Sequence, residues 1–226
     1  MFPLYDTVRS HKFPIINLTL IAVNVLAFLY EVRMDEATLQ GFIFTWGLIP
    51  SQFISDPSST WVNILSSMFL HGGWFHIINN MWVLFIFGDN IEGRMGSIRY
   101  LIFYLLGGAA AGLLQTYVLP SSNTPMIGAS GAVAGVLGAY LVLFPRSRIA
   151  SLVPILFIFT LIEIPAFLFL LFWFFSQLYS GLFAIEGGGG SGIAWWAHIG
   201  GFIFGVVMVS FFAMRSRTGY NSWQQM

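Results

Sequence analysis

Four polar side chains have the types and spacing needed for hydrolytic chemistry: His76, Asn80, Ser130 and His198. His76 and Asn80 are four residues apart, so on a helix their side chains point the same way. Both can donate hydrogen bonds toward a developing negative charge. Ser130 opens an apolar run, where a helix start would leave its backbone N–H unpaired and favour an anionic transition state. This set of groups is typical of nucleophilic catalysis.

His198 completes the hypothesis as the general base that takes the Ser130 proton. Each residue alone has a simpler interpretation. A serine in an apolar helix usually packs or bonds to its own helix, and an asparagine often joins two helices. A proton or ion pathway also uses polar groups of this kind. The residues alone therefore leave a Ser/His hydrolytic site and a proton or ion pathway open.

The composition restricts the class of protein that carries these groups. Of 226 residues, 57% are hydrophobic and 8% are charged, and the net charge is zero. Ordinary soluble domains are about 25% charged, so these values predict an integral membrane protein. A basic stripe for nucleic acid is absent from the sequence. The chain has no cysteine, which excludes disulfides, thiol catalysis and cysteine-ligated metals.

Apolar runs of roughly 20 residues predict membrane-spanning helices. The sequence predicts an all-α, compact six-transmembrane-helix bundle forming a single domain over 1–226, with helices at about 15–32, 74–91, 98–119, 126–144, 165–182 and 192–214. Glycines in the third, fourth and sixth spans favour close helix packing.

The fifth span is the hardest to delimit. Residues 149–185 contain a single charged residue, Glu163, and are too long for one span. Pro165 is suited to a first helical turn, with Glu163 near the positive end of the helix dipole. We therefore expect residues 148–164 to form an interfacial or protein-buried connection. A longer helix kinked at Pro154 and Pro165 is the alternative.

Basic residues predict the orientation, because short cytoplasmic loops are enriched in them. With both termini cytoplasmic, Arg33 is the one basic residue outside; the other eight are Arg9, Lys12, Arg94, Arg99, Arg146, Arg148, Arg215 and Arg217. The first span then reads as a retained signal-anchor. The second, fourth and sixth spans run inward, so the four polar side chains share one depth, within roughly 10 Å of their helix starts.

Three motifs resemble those of rhomboid intramembrane serine proteases: the segment 71–80 (HGGWFHIINN), the segment 128–131 (GASG) and the segment 197–201 (AHIGG) followed by Gly205. Glu92-Gly93-Arg94 also fits the family. The resemblance covers nearly the whole chain.

The resemblance implies that Ser130 is the nucleophile and His198 the base, as a dyad without a carboxylate. It implies that His76 and Asn80 stabilise the oxyanion together with the Ser130 N–H, and that His71 is structural. Gly201 would let the sixth helix approach the fourth. Glu92 and Arg94 would form a structural ion pair or capping element.

The implied substrates are single-span membrane proteins, which pass laterally beside the fifth helix and the loop after it. In that loop, Gly187–Gly190 is either a lid hinge or a plain loop. Trp195 and Trp196 would mark the outer interface. The chemistry needs no cofactor and no metal, and we expect no nucleic-acid partner. A metal site at His71, His76 and His198 would need a further ligand. The expected location is a lipid bilayer, in a prokaryotic cell (inner) membrane.

Two positions depart from the family pattern. A Trp-Arg pair is common in the first loop, whereas here Trp61 is followed by Val62 and Asn63. An aromatic residue often follows the serine by four positions and stacks on the histidine, whereas here that residue is Ala134. Two other functions compete with proteolysis. The first is that of a catalytically inactive relative that binds transmembrane clients. The second is a channel or transporter, which is less favoured because the spans contain no carboxylate pair.

Overall fold

Helices make up most of the molecule. The computed structural model describes residues 1–8, 10, 12–155, 158–186 and 193–214. Its helices are α1 (Ile15–Glu31), α2 (Glu36–Trp46), α3 (Pro50–Ser55), α4 (Pro57–Thr60), α5 (Asn63–Ser66), α6 (Trp74–Met95), α7 (Ser97–Val118), α8 (Ser130–Leu143), α9 (Ala166–Glu186) and α10 (Trp195–Phe212). Its strands are β1 (Phe2–Asp6), β2 (Arg148–Ile155) and β3 (Ile158–Pro165).

The six predicted spans correspond to α1, α6, α7, α8, α9 and α10. Within the described residues, three of these helices are long and apolar enough to cross a membrane: α7, α9 over residues 166–184, and α10. The helices α1 and α8 are apolar but shorter. The count of six spans and the cytoplasmic side of the termini therefore stay predictions.

The fourth predicted span begins later than expected, and its predicted start at residue 126 is wrong. Met126 pairs with Leu48 in an isolated β-bridge. Gly128 has φ of +118°, a conformation that no right-handed helix contains. The helix therefore starts after Gly128, at Ser130, and its 14 residues are about 21 Å long.

The prediction of an all-α chain is wrong in one region. The strands β2 and β3 pair antiparallel, and β1 pairs with the free edge of β2, which gives a three-stranded sheet within the described residues. Glu163 lies in β3 opposite Ala150, rather than at a helix end. Many residues of this segment are β-branched or aromatic and favour strands. The predicted start of the fifth helix at Pro165 is confirmed within one residue.

The start of α1 is capped by a carboxylate from another helix. The backbone N–H groups of Ile16 and Asn17 donate to the two oxygens of Glu92 on α6, at 3.1 and 2.8 Å. Glu92 thus satisfies donors that a helix start leaves unpaired. This confirms the capping role. Arg94 instead lies over the ring of Phe144, 5.9 Å from its centroid.

Along α1, buried polar side chains recur at intervals of seven residues. Asn17, Asn24 and Glu31 are each at most 1% exposed. Asn17 Oδ1 accepts from the Tyr100 hydroxyl at 2.7 Å. Glu31 Oε2 accepts from the backbone N–H of His71 at 3.0 Å. One face of α1 is therefore attached to the rest of the bundle through polar contacts.

The helices α8 and α10 approach at backbone distance. A Cβ atom at Gly201 would lie 1.9 Å from the carbonyl oxygen of Gly131, and one at Gly205 would lie 2.0 Å from that of Gly135. A Cβ at Gly138 would lie 2.1 Å from the carbonyl oxygen of Phe202. The expected close approach at Gly201 is confirmed, and it extends along the whole contact.

The sheet is joined to the bundle through Asp6, which accepts from the Tyr140 hydroxyl and from Asn90 Nδ2. Burial raises the pKa of Asp6 from 3.8 to about 6, against the lowering effect of these hydrogen bonds. The folded protein therefore binds this proton more tightly than the unfolded chain does. We expect the free energy of unfolding to fall as the pH rises from about 4 to about 6.

Thermal unfolding in detergent, followed by tryptophan fluorescence across this pH range, measures the effect. Asp6→Asn keeps an acceptor for Tyr140 and removes the titration, so its stability should lack this component of the pH dependence. An equal fall in Asp6→Asn would contradict the assignment to Asp6.

Candidate active site

The serine and histidine selected from the sequence are in direct contact. His198 Nε2 lies 2.8 Å from Ser130 Oγ. Ser130 is the first residue of α8, and His198 lies in the first turn of α10. The backbone contact between these two helices at Gly131 and Gly201 sets this distance. A neutral imidazole in this position can accept the serine proton.

The side chains of His76 and Asn80 reach the same place from α6. A Cβ atom at Gly128 would lie 2.5 Å from His76 Nε2 and 3.6 Å from Asn80 Nδ2. Gly128 precedes Ser130 by two residues, so both side chains approach the backbone that leads into the nucleophile. The missing side chain at Gly128 is what makes room for them, and its positive φ independently favours glycine.

Hydrogen bonding indicates which atoms of His76 and Asn80 can donate. The Gly72 N–H donates to His76 Nδ1 at 3.4 Å, so a neutral ring carries its proton on Nε2, the atom that faces Gly128. Asn80 is 4% exposed, and its Nδ2 has no partner among the described residues. A buried donor without a partner costs about 1–3 kcal/mol. Both donors thus face the backbone at Gly128, where a negatively charged oxygen can accept from them.

A cavity of about 940 Å³ lies over these groups. His76, Asn80, Ser130 and His198 line it together, so the structure brings all four predicted site residues to one place. Phe75 and residues of the segment 119–127 between α7 and α8 contribute to its walls. An extended peptide segment fits a cavity of this size better than a single small ion does.

Other predicted features lie beside this cavity or outside the described residues. The ring of His71 is buried 5.0 Å from that of His76, centroid to centroid, which fits the structural role expected for His71. Burial lowers the pKa of His71 to about 4. Trp195 and Trp196 line the cavity where α10 begins. The glycines Gly187–Gly190, considered as a hinge, lie outside the described residues.

Sequence reasoning missed the groups that surround His198. Gln177 on α9 contacts its second ring nitrogen: His198 Nδ1 lies 2.7 Å from Gln177 Oε1. The Trp173 and Trp195 rings lie 6.0 and 6.1 Å from the imidazole, centroid to centroid. A polar residue within the apolar fifth span was a usable signal for Gln177.

The first loop lacks the arginine common in the family, and Asn63 supplies a polar anchor there. Its Nδ2 donates to the carbonyl oxygens of Thr45 and Gly47, at 3.1 and 2.9 Å. Gly47 precedes Leu48, whose N–H and C=O pair with Met126. Asn63 therefore fixes the loop that holds the segment leading to Ser130.

Comparison with known proteins gives one consistent result. The model of a family described as the Rhomboid domain matches residues 58–215. The chain is 28% identical to RHOMBOID-like protein 6, mitochondrial, of Arabidopsis thaliana, over 71% of this chain and 47% of that protein. It is 33% identical to the putative rhomboid protease YdcA of Bacillus subtilis, over 40% of this chain and 46% of that protein.

A third relative is the presenilin-associated rhomboid-like protein, mitochondrial, of Homo sapiens. It is 31% identical over 62% of this chain and 36% of that protein. The chain thus spans less than half the length of each of these three relatives.

Proposed function

This chain belongs to the rhomboid family, and on that premise we propose that it is a serine endopeptidase that cleaves transmembrane segments near the outer face of a membrane. The observation that carries the proposal is the contact of 2.8 Å between His198 Nε2 and Ser130 Oγ. The unpaired donor of Asn80 beside the same serine supports it.

In the proposed reaction, Ser130 Oγ attacks the scissile carbonyl while His198 Nε2 accepts its proton. The tetrahedral oxyanion is stabilised by His76 Nε2–H, by Asn80 Nδ2–H and by the backbone N–H of Ser130. His198 then gives the proton to the leaving amine as the C–N bond breaks, which leaves an acyl-serine. Water, deprotonated by His198, hydrolyses the ester and restores the free serine.

The proposed substrates are single-span membrane proteins. A helix in lipid pairs its own backbone groups, so a substrate must unwind before its carbonyl reaches Ser130. The exposed phenylalanines of α9, such as Phe172 and Phe175, suit lipid contact, and substrate access past this helix fits the cavity it borders. Two of the three relatives are named as mitochondrial and one is bacterial, so the comparisons give no preference for the prokaryotic inner membrane expected from the sequence.

Covalent labelling tests the function directly. A fluorophosphonate probe should modify Ser130 in the folded protein in detergent, and mass spectrometry of the digested protein identifies the modified residue. The heat-unfolded protein is the control and should not react. If folded protein left Ser130 unlabelled and also failed to cleave a single-span substrate, the result would favour the inactive relative that binds transmembrane clients.

Removing one oxyanion donor should slow turnover without unfolding the protein. We expect Asn80→Ala to lower kcat about 100-fold, because each such donor acts mainly in the transition state. Its thermal stability should change little, since no described residue accepts a hydrogen bond from Asn80 Nδ2.

Asn24→Ala is a matched control, because Asn24 is also a buried asparagine but lies on α1 and donates to Leu20 within its own helix. This variant should keep its kcat. Steady-state kinetics and thermal unfolding of both variants separate the roles. An Asn80→Ala protein that unfolds with unchanged kcat per folded molecule would make Asn80 structural.

A further inference from the structure

Gln177 connects the general base of the proposed dyad to a third helix. It lies on α9, its side chain is 8% exposed, and its Oε1 lies 2.7 Å from His198 Nδ1. The opposite ring nitrogen, Nε2, contacts Ser130 Oγ. Both nitrogens of the imidazole are therefore engaged, one by the nucleophile and one by an amide.

The local hydrogen bonds set which end of the amide faces the imidazole. The Ser176 hydroxyl donates its proton to the carbonyl oxygen of Trp173 at 2.6 Å. Its lone pairs then accept from Gln177 Nε2 at 3.0 Å. The carbonyl end of Gln177 is thereby turned toward His198, and Oε1 can only accept. His198 must carry its proton on Nδ1.

We propose that Gln177 is a positioning residue that holds His198 in the tautomer with Nδ1 protonated and Nε2 free to take the Ser130 proton. The inference rests on the proposed function. In the opposite tautomer Nε2 would carry a hydrogen, and Ser130 would lose its base. Gln177 thus takes the structural place that a carboxylate has in a Ser-His-Asp triad.

A neutral amide suits this place better than a carboxylate would. The surroundings of His198 are apolar, with Trp173 and Trp195 against the ring, and a buried charge there would cost far more than a buried amide. The other titratable ring that faces the site is His76, from α6. Among the described residues that line the cavity, no carboxylate is present.

The test compares Gln177→Leu, Gln177→Glu and a matched control, Gln115→Leu. Gln115 on α7 is also 8% exposed and also accepts a hydrogen bond from α10, but from the Ala197 backbone N–H at 3.1 Å. Leucine at either position removes one buried hydrogen bond to the same helix end. The probe is a fluorophosphonate, which is small and avoids effects of α9 on substrate access.

Gln177→Leu should lower the pseudo-first-order labelling rate of Ser130 about 100-fold, and lower kcat for a single-span substrate with little change in KM. In Gln177→Glu the probe should label Ser130 faster than in Gln177→Leu. The acid limb of its pH–rate profile should move to higher pH by about 1 to 2 units, because a carboxylate favours the protonated imidazole. Gln115→Leu should keep the acid limb of the wild type.

Equal labelling rates in Gln177→Leu and wild type would overturn the inference, as would a Gln177→Glu profile with an unmoved acid limb. If Gln177→Leu does not fold, the Gln177→Glu profile decides alone. Failure of the proposed function is distinguishable, because in that case the wild type itself would neither label at Ser130 nor cleave.

Discussion

Alanine at Ser130 is expected to lower the rate of cleavage of a single-span substrate by at least about 10⁴-fold. Alanine at His198 should lose a similar amount, since the two side chains act as one unit at 2.8 Å. The double variant should then be no slower than either single one. Such non-additivity identifies a shared step more sharply than either loss alone.

The measurement is turnover of a purified single-span substrate in liposomes, with products identified by mass spectrometry. Ser151→Ala is the matched control, because Ser151 is fully buried but lies on β2, away from the cavity. It should cleave at the rate of the wild type. Cleavage by Ser130→Ala at a rate close to that of the wild type would show that another group supplies the nucleophile.

Alanine at Gly201 is expected to damage both stability and activity. Its Cβ would lie 1.9 Å from the carbonyl oxygen of Gly131, which is backbone and cannot rotate away. The helices α8 and α10 would have to separate, at a cost of about 1–3 kcal/mol or more. Because Gly131 follows the nucleophile, the Ser130–His198 distance would grow, and a shift of about 1 Å can cost about 100-fold in rate.

Gly41→Ala is the matched control for this prediction. Gly41 lies within α2, and nothing stands within 4 Å of a Cβ built there. Alanine at that position should leave activity unchanged and slightly raise stability. Thermal unfolding and turnover measured on both variants test the contrast. A Gly201→Ala protein with the stability and kcat of the wild type would contradict the backbone contact.

The length of an apolar run predicts most of the helices, because the length and the hydrophobicity of a helix are both properties of one continuous segment of sequence. The start of α8 is different. It depends on the bridge between Leu48 and Met126, which are distant in sequence, and on the positive φ of Gly128. The three-stranded sheet, which the apolar pattern did not predict, likewise depends on pairing between β1 and β2, which are distant in sequence.

The candidate site was more predictable than the fold around it. Polar residues within apolar spans are few, so His76, Asn80, Ser130 and His198 could be selected by chemistry and grouped by depth. Gln177 meets the same criterion, as a polar residue in the fifth span. It was missed because its partner, Nδ1 of His198, is identified only when α9 and α10 pack together.

The polar face of α1 has a consequence for biosynthesis. Asn17, Asn24 and Glu31 are all buried, and Asn17 and Glu31 form hydrogen bonds with Tyr100 and His71, which come later in the chain. When this first helix leaves the ribosome, neither α6 nor α7 has been made. Facing lipid alone, it would present two amides and a carboxyl group to hydrocarbon, which penalises insertion. If α1 spans the bilayer as predicted, its stable insertion therefore depends on the synthesis of α6 and α7, which couples topology to the order of translation.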